Sequence, residues 1–187
     1  MEQRLRIKSS WVKLLDIQEA ISRRRSIRSF TDEEISNEDV GQIIEAGTFA
    51  PSAGNCQPWE FLIVRDRITK QKLAEAALGQ RFVSQAPVVI VVCANIKRST
   101  SRYGSRGQDL YCIQDTAAAI ENMLLIAVSK GLGTCWVGAF NEVLAKESLE
   151  LPVGIRPVAI IPLGNPAETP RMPRRRTYKD VVHHEKW

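Results

Sequence analysis

Pro51-Ser52-Ala53-Gly54-Asn55-Cys56-Gln57-Pro58-Trp59, running straight into Glu60-Phe61-Leu62-Ile63-Val64, is the most informative stretch of the chain. Two prolines fix the backbone, Gly54 permits a positive φ, and Ser52, Asn55 and Gln57 carry short donors and acceptors. The pattern describes an ordered loop that presents neutral polar groups to something flat and polar. Composition alone fits an ordinary helix-to-strand connection equally well. The apolar run Trp59 to Arg65 reads as a strand. On the other side, a helix starts near Ser36, with Val40, Ile43, Ile44 and Gly47 on one face. It ends before Pro51, because a residue preceding proline resists helical geometry.

Further out, Asp16-Ile17-Gln18-Glu19 places a capping acid ahead of a helix to Arg24. Thr69 to Leu78 reads as a helix stopped by Gly79. Ala86 to Ala94, with five consecutive valines and isoleucines, reads as a central strand buried on both faces. A polar loop is expected over Asn95 to Gly107, then the longest helix, Gln108 to Lys130, with Gly131 at its C′ position. Its apolar residues (Ile113, Ala117, Ile120, Leu124, Ala127, and also Met123, Leu125, Ile126 and Val128) leave little polar surface. This helix belongs in a core or a subunit interface. Gly133 to Phe140 reads as a short strand or extended turn, Asn141 to Leu149 as a short helix, and Arg156 to Leu163 as the last strand. The expected class is α+β (mixed α/β), a central sheet covered by helices. It forms one domain over residues 1–187, with a tail over 165–187.

With 187 residues, 44% hydrophobic and 25% charged, the chain has the make-up of a globular protein with a real core. No run approaches the roughly 20 apolar residues that span a bilayer. Met1 to Lys8 lacks the pattern of a signal peptide, so a cytoplasmic location is the default. Cys56, Cys93, Cys112 and Cys135 are too scattered for a zinc site or a disulfide framework. Cys93 and Cys112 fall in hydrophobic runs and read as core residues, whereas Cys56 and Cys135 fall in expected loops. His183-His184 reads as polar tail, since adjacent side chains point apart and no third metal ligand accompanies them. The net charge of +5 is concentrated in Arg23-Arg24-Arg25 with Arg28, and in Arg171 with Arg174-Arg175-Arg176. These clusters are short and lack any nucleic-acid motif. Solvated faces explain them, and so does one compact anion held between them.

Several segments, in order, resemble the nitroreductase family of FMN-dependent NAD(P)H oxidoreductases. They are Arg24-Arg25-Ser26-Ile27-Arg28, the loop Pro51 to Trp59, Gln114-Asp115 opening an alanine-rich helix, and Gly131-Leu132-Gly133-Thr134-Cys135-Trp136-Val137-Gly138. Any one is weak; the ordered set over residues 16–187 is specific. The resemblance implies a mainly antiparallel sheet and a homodimer, with the long helix at its interface and two FMN sites drawing residues from both chains. Arg24 and Ser26 look like phosphate and ribityl contacts, with Arg25 in the same cradle. A solvated helix end is the plainer account of the three adjacent arginines. Arg28 matches a basic residue near N1 and O2 of the flavin, where a cation stabilises the reduced ring; a further phosphate contact is its alternative.

Pro51, Ser52 and Ala53 would reach the dimethylbenzene end of the partner's FMN, with Asn55 and Gln57 hydrogen-bonding nearby. Many relatives have a second serine where this chain has Ala53. Trp136, Val137 and Gly138 look like the segment beside the flavin, where a backbone N–H faces N5; the Trp136 side chain reads equally as core. Arg174 or Arg175, with Arg176 next to them, matches a basic position that returns to the phosphate. The implied chemistry is hydride transfer from NAD(P)H through flavin N5 to a nitroaromatic, quinone or flavin. Dehalogenation, flavin destruction, ring dehydrogenation and a flavin-binding redox protein with little turnover are the alternatives. No nucleic-acid or membrane partner and no metal is implied. Arg98, Arg102, Tyr103 and Arg106 in the expected loop 95–107 read as a wall over the flavin, or as an exposed basic loop.

Overall fold

The computed structural model describes residues 15–187; the expectation for Met1 to Lys8 lies outside the described residues. A four-stranded antiparallel sheet, ordered β1-β2-β4-β3, is built from β1 (Trp59–Val64), β2 (Val88–Asn95), β3 (Gly133–Thr134) and β4 (Ile155–Gly164). Alternate residues of β2 enter two different cores, as the period of a strand requires. Val88, Ile90 and Val92 meet α2 (Asn37–Thr48) and α6 (Cys112–Ser129) through Val40, Ile43, Ile120, Met123 and Leu124. Val89, Val91 and Cys93 meet α3 (Arg67–Ala76), α4 (Phe82–Gln85) and α7 (Glu142–Ser148) through Leu73, Val83 and Ala145. The expected mainly antiparallel sheet covered by helices is what the chain forms, and every residue from Val88 to Ala94 is buried.

Caps explain most helix starts. Asp16 accepts from the Glu19 amide at the head of α1 (Ile17–Arg23), Ser36 from Asp39, and Asn141 from Val143 and Leu144. Asp66 caps α3 by accepting from Thr69, so that helix begins at Arg67 rather than Thr69. The short α4 carries no periodic signal of its own.

The expected loop 95–107 is instead α5 (Ile96–Arg106), whose N-cap Asn95 accepts from the Arg98 amide. Its polar face looks to solvent, which is why the segment reads as a loop. Gly104, at φ 54°, breaks it, and a π-helical turn, Gly107–Tyr111, leads into α6. α6 ends as expected, with Gly131 at φ 77°. It is not buried all round within the chain: Ala119, Ile120, Met123, Leu124 and Ala127 are core, while Ile113, Ala117, Ala118 and Leu125 are half-buried. Beyond Gly164 the chain is irregular apart from an isolated bridge between Pro166 and Phe30 and a 3₁₀ turn, Tyr178–Asp180, and residues 171–181 are all exposed. No helix among the described residues is long and apolar enough to cross a membrane.

Candidate functional site

After α1, Ser26 pairs in parallel with Thr134 and the Ile27 amide donates to the Thr134 carbonyl at 2.9 Å. Residues 24–28 therefore run along the free edge of β3. Beside them opens a cleft of about 460 Å³, lined by Arg23, Arg24 and Arg25, by Leu132 to Thr134, and by Glu168 to Pro170 of the tail. Arg24 is three-quarters buried, and its nearest acid, Glu121, lies at 3.9 Å. Its guanidinium keeps donors for a ligand. Arg25 is differently placed: its Nη1 donates to the carbonyls of Ser22 and Arg24, both at 2.7 Å, and so closes the end of α1.

The Arg28 amide donates to the Glu168 carboxylate, and its guanidinium lies 5.9 Å from the centre of the Phe82 ring. Burial pushes the Cys135 thiol up, while Arg28, a hydrogen bond from Ser26, and Arg24 oppose it. Cys135, in the irregular segment just after β3, is buried in the core beneath Ser26 and Arg28. Glu168 was not singled out by sequence, since a lone acid in a tail carries no pattern.

Past Thr134 the edge of the sheet continues. The Cys135 and Val137 amides donate to Pro162 and Ile160 of β4, at 3.4 and 3.0 Å. Alternation turns the Trp136 and Gly138 amides the other way, and neither donates to any group among the described residues. The Val137 amide is therefore already engaged and its side chain lies in the core, whereas Trp136 is 39% exposed. Among these three residues, Trp136 and Gly138 present the open donors.

The loop Pro51 to Trp59 lies elsewhere. It makes a 3₁₀ turn, Ala53–Asn55, with Gly54, Asn55 and Gln57 all at positive φ (53°, 56° and 48°). Its polar side chains act inward: Ser52 Oγ accepts from the Gln57 amide at 3.0 Å, and Asn55 Oδ1 accepts from Gln57 Nε2 at 3.2 Å. Asp115, 6% exposed near the start of α6, accepts the Ala53 amide at 3.0 Å through Oδ1, while Oδ2 finds no partner among the described residues. Desolvation by burial raises its pKa, against the Ala53 hydrogen bond.

Loop and basic cleft occupy opposite ends of α6. Asp115 holds the loop and Val128 lines the cleft; 13 residues of helix between them rise about 20 Å. The structure brings Arg24, Arg25, Ser26 and Arg28 together with the edge that carries Trp136 to Gly138. It does not bring Pro51 to Gln57 to them within one chain. Arg174 and Arg175 lie exposed in the tail, outside the cleft lining, and Arg176 donates to the Asp180 carbonyl. No group of three or more His, Cys, Asp or Glu among the described residues is arranged to hold a metal.

The model of the Nitroreductase family matches residues 21–81 and 78–165. The FMN reductase (NAD(P)H) of Bacillus subtilis is 32% identical over 191 residues, covering 91% of this chain and 73% of its own. The oxygen-insensitive NADPH nitroreductase of Salmonella typhimurium is 31% identical over 176 residues, covering 90% and 73%. The solved structure of NADPH:FMN oxidoreductase from Vibrio harveyi, complexed with NAD+, superposes with a TM-score of 0.84 at 29% identity, over 91% of this chain and 77% of that one.

Proposed function

The chain belongs to the nitroreductase family, and on that premise we propose that it is an FMN-dependent NAD(P)H oxidoreductase working as a homodimer. When bound, FMN supplies the ring that accepts hydride from NAD(P)H and hands two electrons to an electron-poor acceptor such as a nitroaromatic, quinone or flavin. Arg24 in the 460 Å³ cleft, with Ser26 on the strand edge beside it, holds the phosphate end. Arg25 supports them by closing α1. Arg28 supplies a fixed positive charge toward the ring. The open amide of Gly138, rather than the engaged one of Val137, donates to the ring nitrogen, and Trp136 offers a second amide beside it. Arg174 or Arg175 reaches the phosphate as the exposed tail closes.

The observation that carries the dimer is the separation of the two motif regions at opposite ends of α6. A two-fold axis that sets two α6 helices antiparallel places the loop of one chain, with Pro51, Ser52, Ala53, Asn55 and Gln57, at the basic cleft of the other. Exposed apolar residues support such a partner: Phe49 at 72%, Ile17 at 63% and Ile21 at 58%, with Met172, Tyr178 and Val181 in the tail. Four free cysteines and a need for NAD(P)H fit a reducing cytoplasm.

Purified protein is expected to be yellow, and anaerobic NADH or NADPH to bleach its absorption near about 450 nm, a property of the flavin itself. Protein that carries no flavin after incubation with FMN, or flavin that neither nucleotide reduces, refutes the proposal. Arg24→Ala should release FMN at least about tenfold faster, as loss of a charged phosphate contact implies, whereas replacing the exposed Arg67 at the start of α3 by Ala should not.

A further inference from the structure

We infer that Arg98, Arg102 and Asp115 are positioning residues for the cofactor of the partner subunit, acting as a three-point latch on the loop Pro51 to Trp59. The inference rests on the shared-site reading above, and names what holds the loop in its working shape. Three left-handed residues within four positions, two of them not glycine, form a conformation that the loop does not favour by itself. Such a shape persists only where its surroundings over-determine it. Bonds inside the loop account for Ser52, Asn55 and Gln57. The three remaining anchors come from outside, at residues 53, 54 and 56.

From the core side, the buried Asp115 carboxylate accepts the Ala53 amide at 3.0 Å. From the solvent side, Arg102 Nη1 donates to the Gly54 carbonyl at 2.7 Å, and Arg98 Nε donates to the Cys56 carbonyl at 3.2 Å. The two arginines are one turn apart on α5, so both guanidinium groups face the loop together. Packing is direct as well: a Cβ on Gly54 would lie 2.4 Å from the Tyr103 hydroxyl and 2.7 Å from Arg102 Cζ. The Arg102 guanidinium lies 5.6 Å from the Tyr103 ring centre, and Tyr103 meets Tyr111 edge-on at 5.1 Å. α5 is thereby tied both to the loop and to the turn that opens α6. A purely solvated role for Arg98 and Arg102 leaves two charge-assisted bonds to loop carbonyls two residues apart unexplained.

The test uses heterodimers made by co-expressing two differently tagged chains and purifying through both tags, with FMN release followed by flavin fluorescence. With Arg24→Ala on one chain and Arg102→Ala on the other, half of the sites should release FMN at the wild-type rate. One chain there keeps its own Arg24 and receives an unaltered loop. With both substitutions on the same chain, no site is intact, and all release should be about tenfold faster or more, the scale of one charge-assisted bond. Half-intact behaviour in both arrangements shows that Arg102 holds nothing and overturns the latch. Half-intact behaviour only in the same-chain arrangement puts the loop on its own subunit's cofactor and overturns the action across subunits. Wild-type dimers that bind no FMN, or tags that never co-purify, overturn the shared-site reading beneath it. Arg102→Lys keeps a donor for the Gly54 carbonyl and should recover most of the retention. Release as fast as in Arg102→Ala refutes the hydrogen-bond argument.

Discussion

Replacing Asp115 separates two effects that the structure superimposes on one side chain. Asp115→Ala removes the acceptor of the Ala53 amide, and an N–H left unpaired in a part-buried place costs about 1–3 kcal/mol. Asp115→Asn keeps an acceptor at the same position but removes the charge. That charge is poorly accommodated: the residue is 6% exposed, Oδ2 has no partner among the described residues, and burial raises the pKa above the ordinary 3.8. A carboxyl whose folded pKa is raised holds its proton more tightly in the folded state than in the unfolded state. Its stabilising contribution is complete below pH 3.8 and is lost as the pH rises through the folded value. Each tenfold difference in proton affinity corresponds to about 1.4 kcal/mol.

The stability of Asp115→Asn relative to wild type should therefore rise with pH from about 4 upward and then level off. Asp115→Ala should lie about 1–2 kcal/mol below Asp115→Asn at every pH. Urea unfolding monitored by tryptophan fluorescence, at pH 4 to 8 and at constant protein and FMN concentrations, measures both differences. Parallel pH profiles for wild type and Asp115→Asn would refute the buried-charge argument. Equal stability of the alanine and asparagine variants would refute the hydrogen bond to Ala53.

Gly138→Pro removes an amide that has no partner among the described residues, so melting should hardly change while flavin reduction by NAD(P)H slows by about tenfold or more; unchanged stopped-flow rates would sink that assignment. Gly54→Ala places a Cβ at φ 53° against Tyr103 and Arg102. It should cost about 1–2 kcal/mol in urea unfolding and speed FMN release, and an unaltered release rate would count against the latch. Thiol labelling of the native protein near neutral pH should modify Cys56 first. Burial pushes Cys93 up to about 12 and also raises Cys112 and Cys135; rapid labelling of Cys135, read by mass spectrometry, would refute its burial in the core beneath Arg28.

Much of the architecture was legible along the chain because its causes are local. Asp16, Ser36 and Asn141 bond amides two or three residues away, Gly131 takes the left-handed turn after α6, and the apolar run of β2 has no alternative to a buried strand. The exception among the larger elements is α5. Its arginines, serines and Gly104 read as a loop, although Asn95 caps a helix there and the loop 51–59 gives Arg98 and Arg102 carbonyls to bond.

The sequence by itself determined the family, the class of the fold and the location of the basic and polar segments, since residue type and short spacing suffice for these. Tertiary structure alone decided what each candidate group is free to do. Val137 and Gly138 are neighbours of the same expectation, yet β4 occupies the amide of one and leaves the other open. Arg24 faces the cleft while Arg25 closes a helix, and Ser52, Asn55 and Gln57 hold their own loop in shape rather than projecting from it. A hydrogen-bonding group has few partners to give, and which one it takes depends on chains of residues brought together from 60 to 140 positions away, as at Asp115 with Ala53 and Glu168 with Arg28.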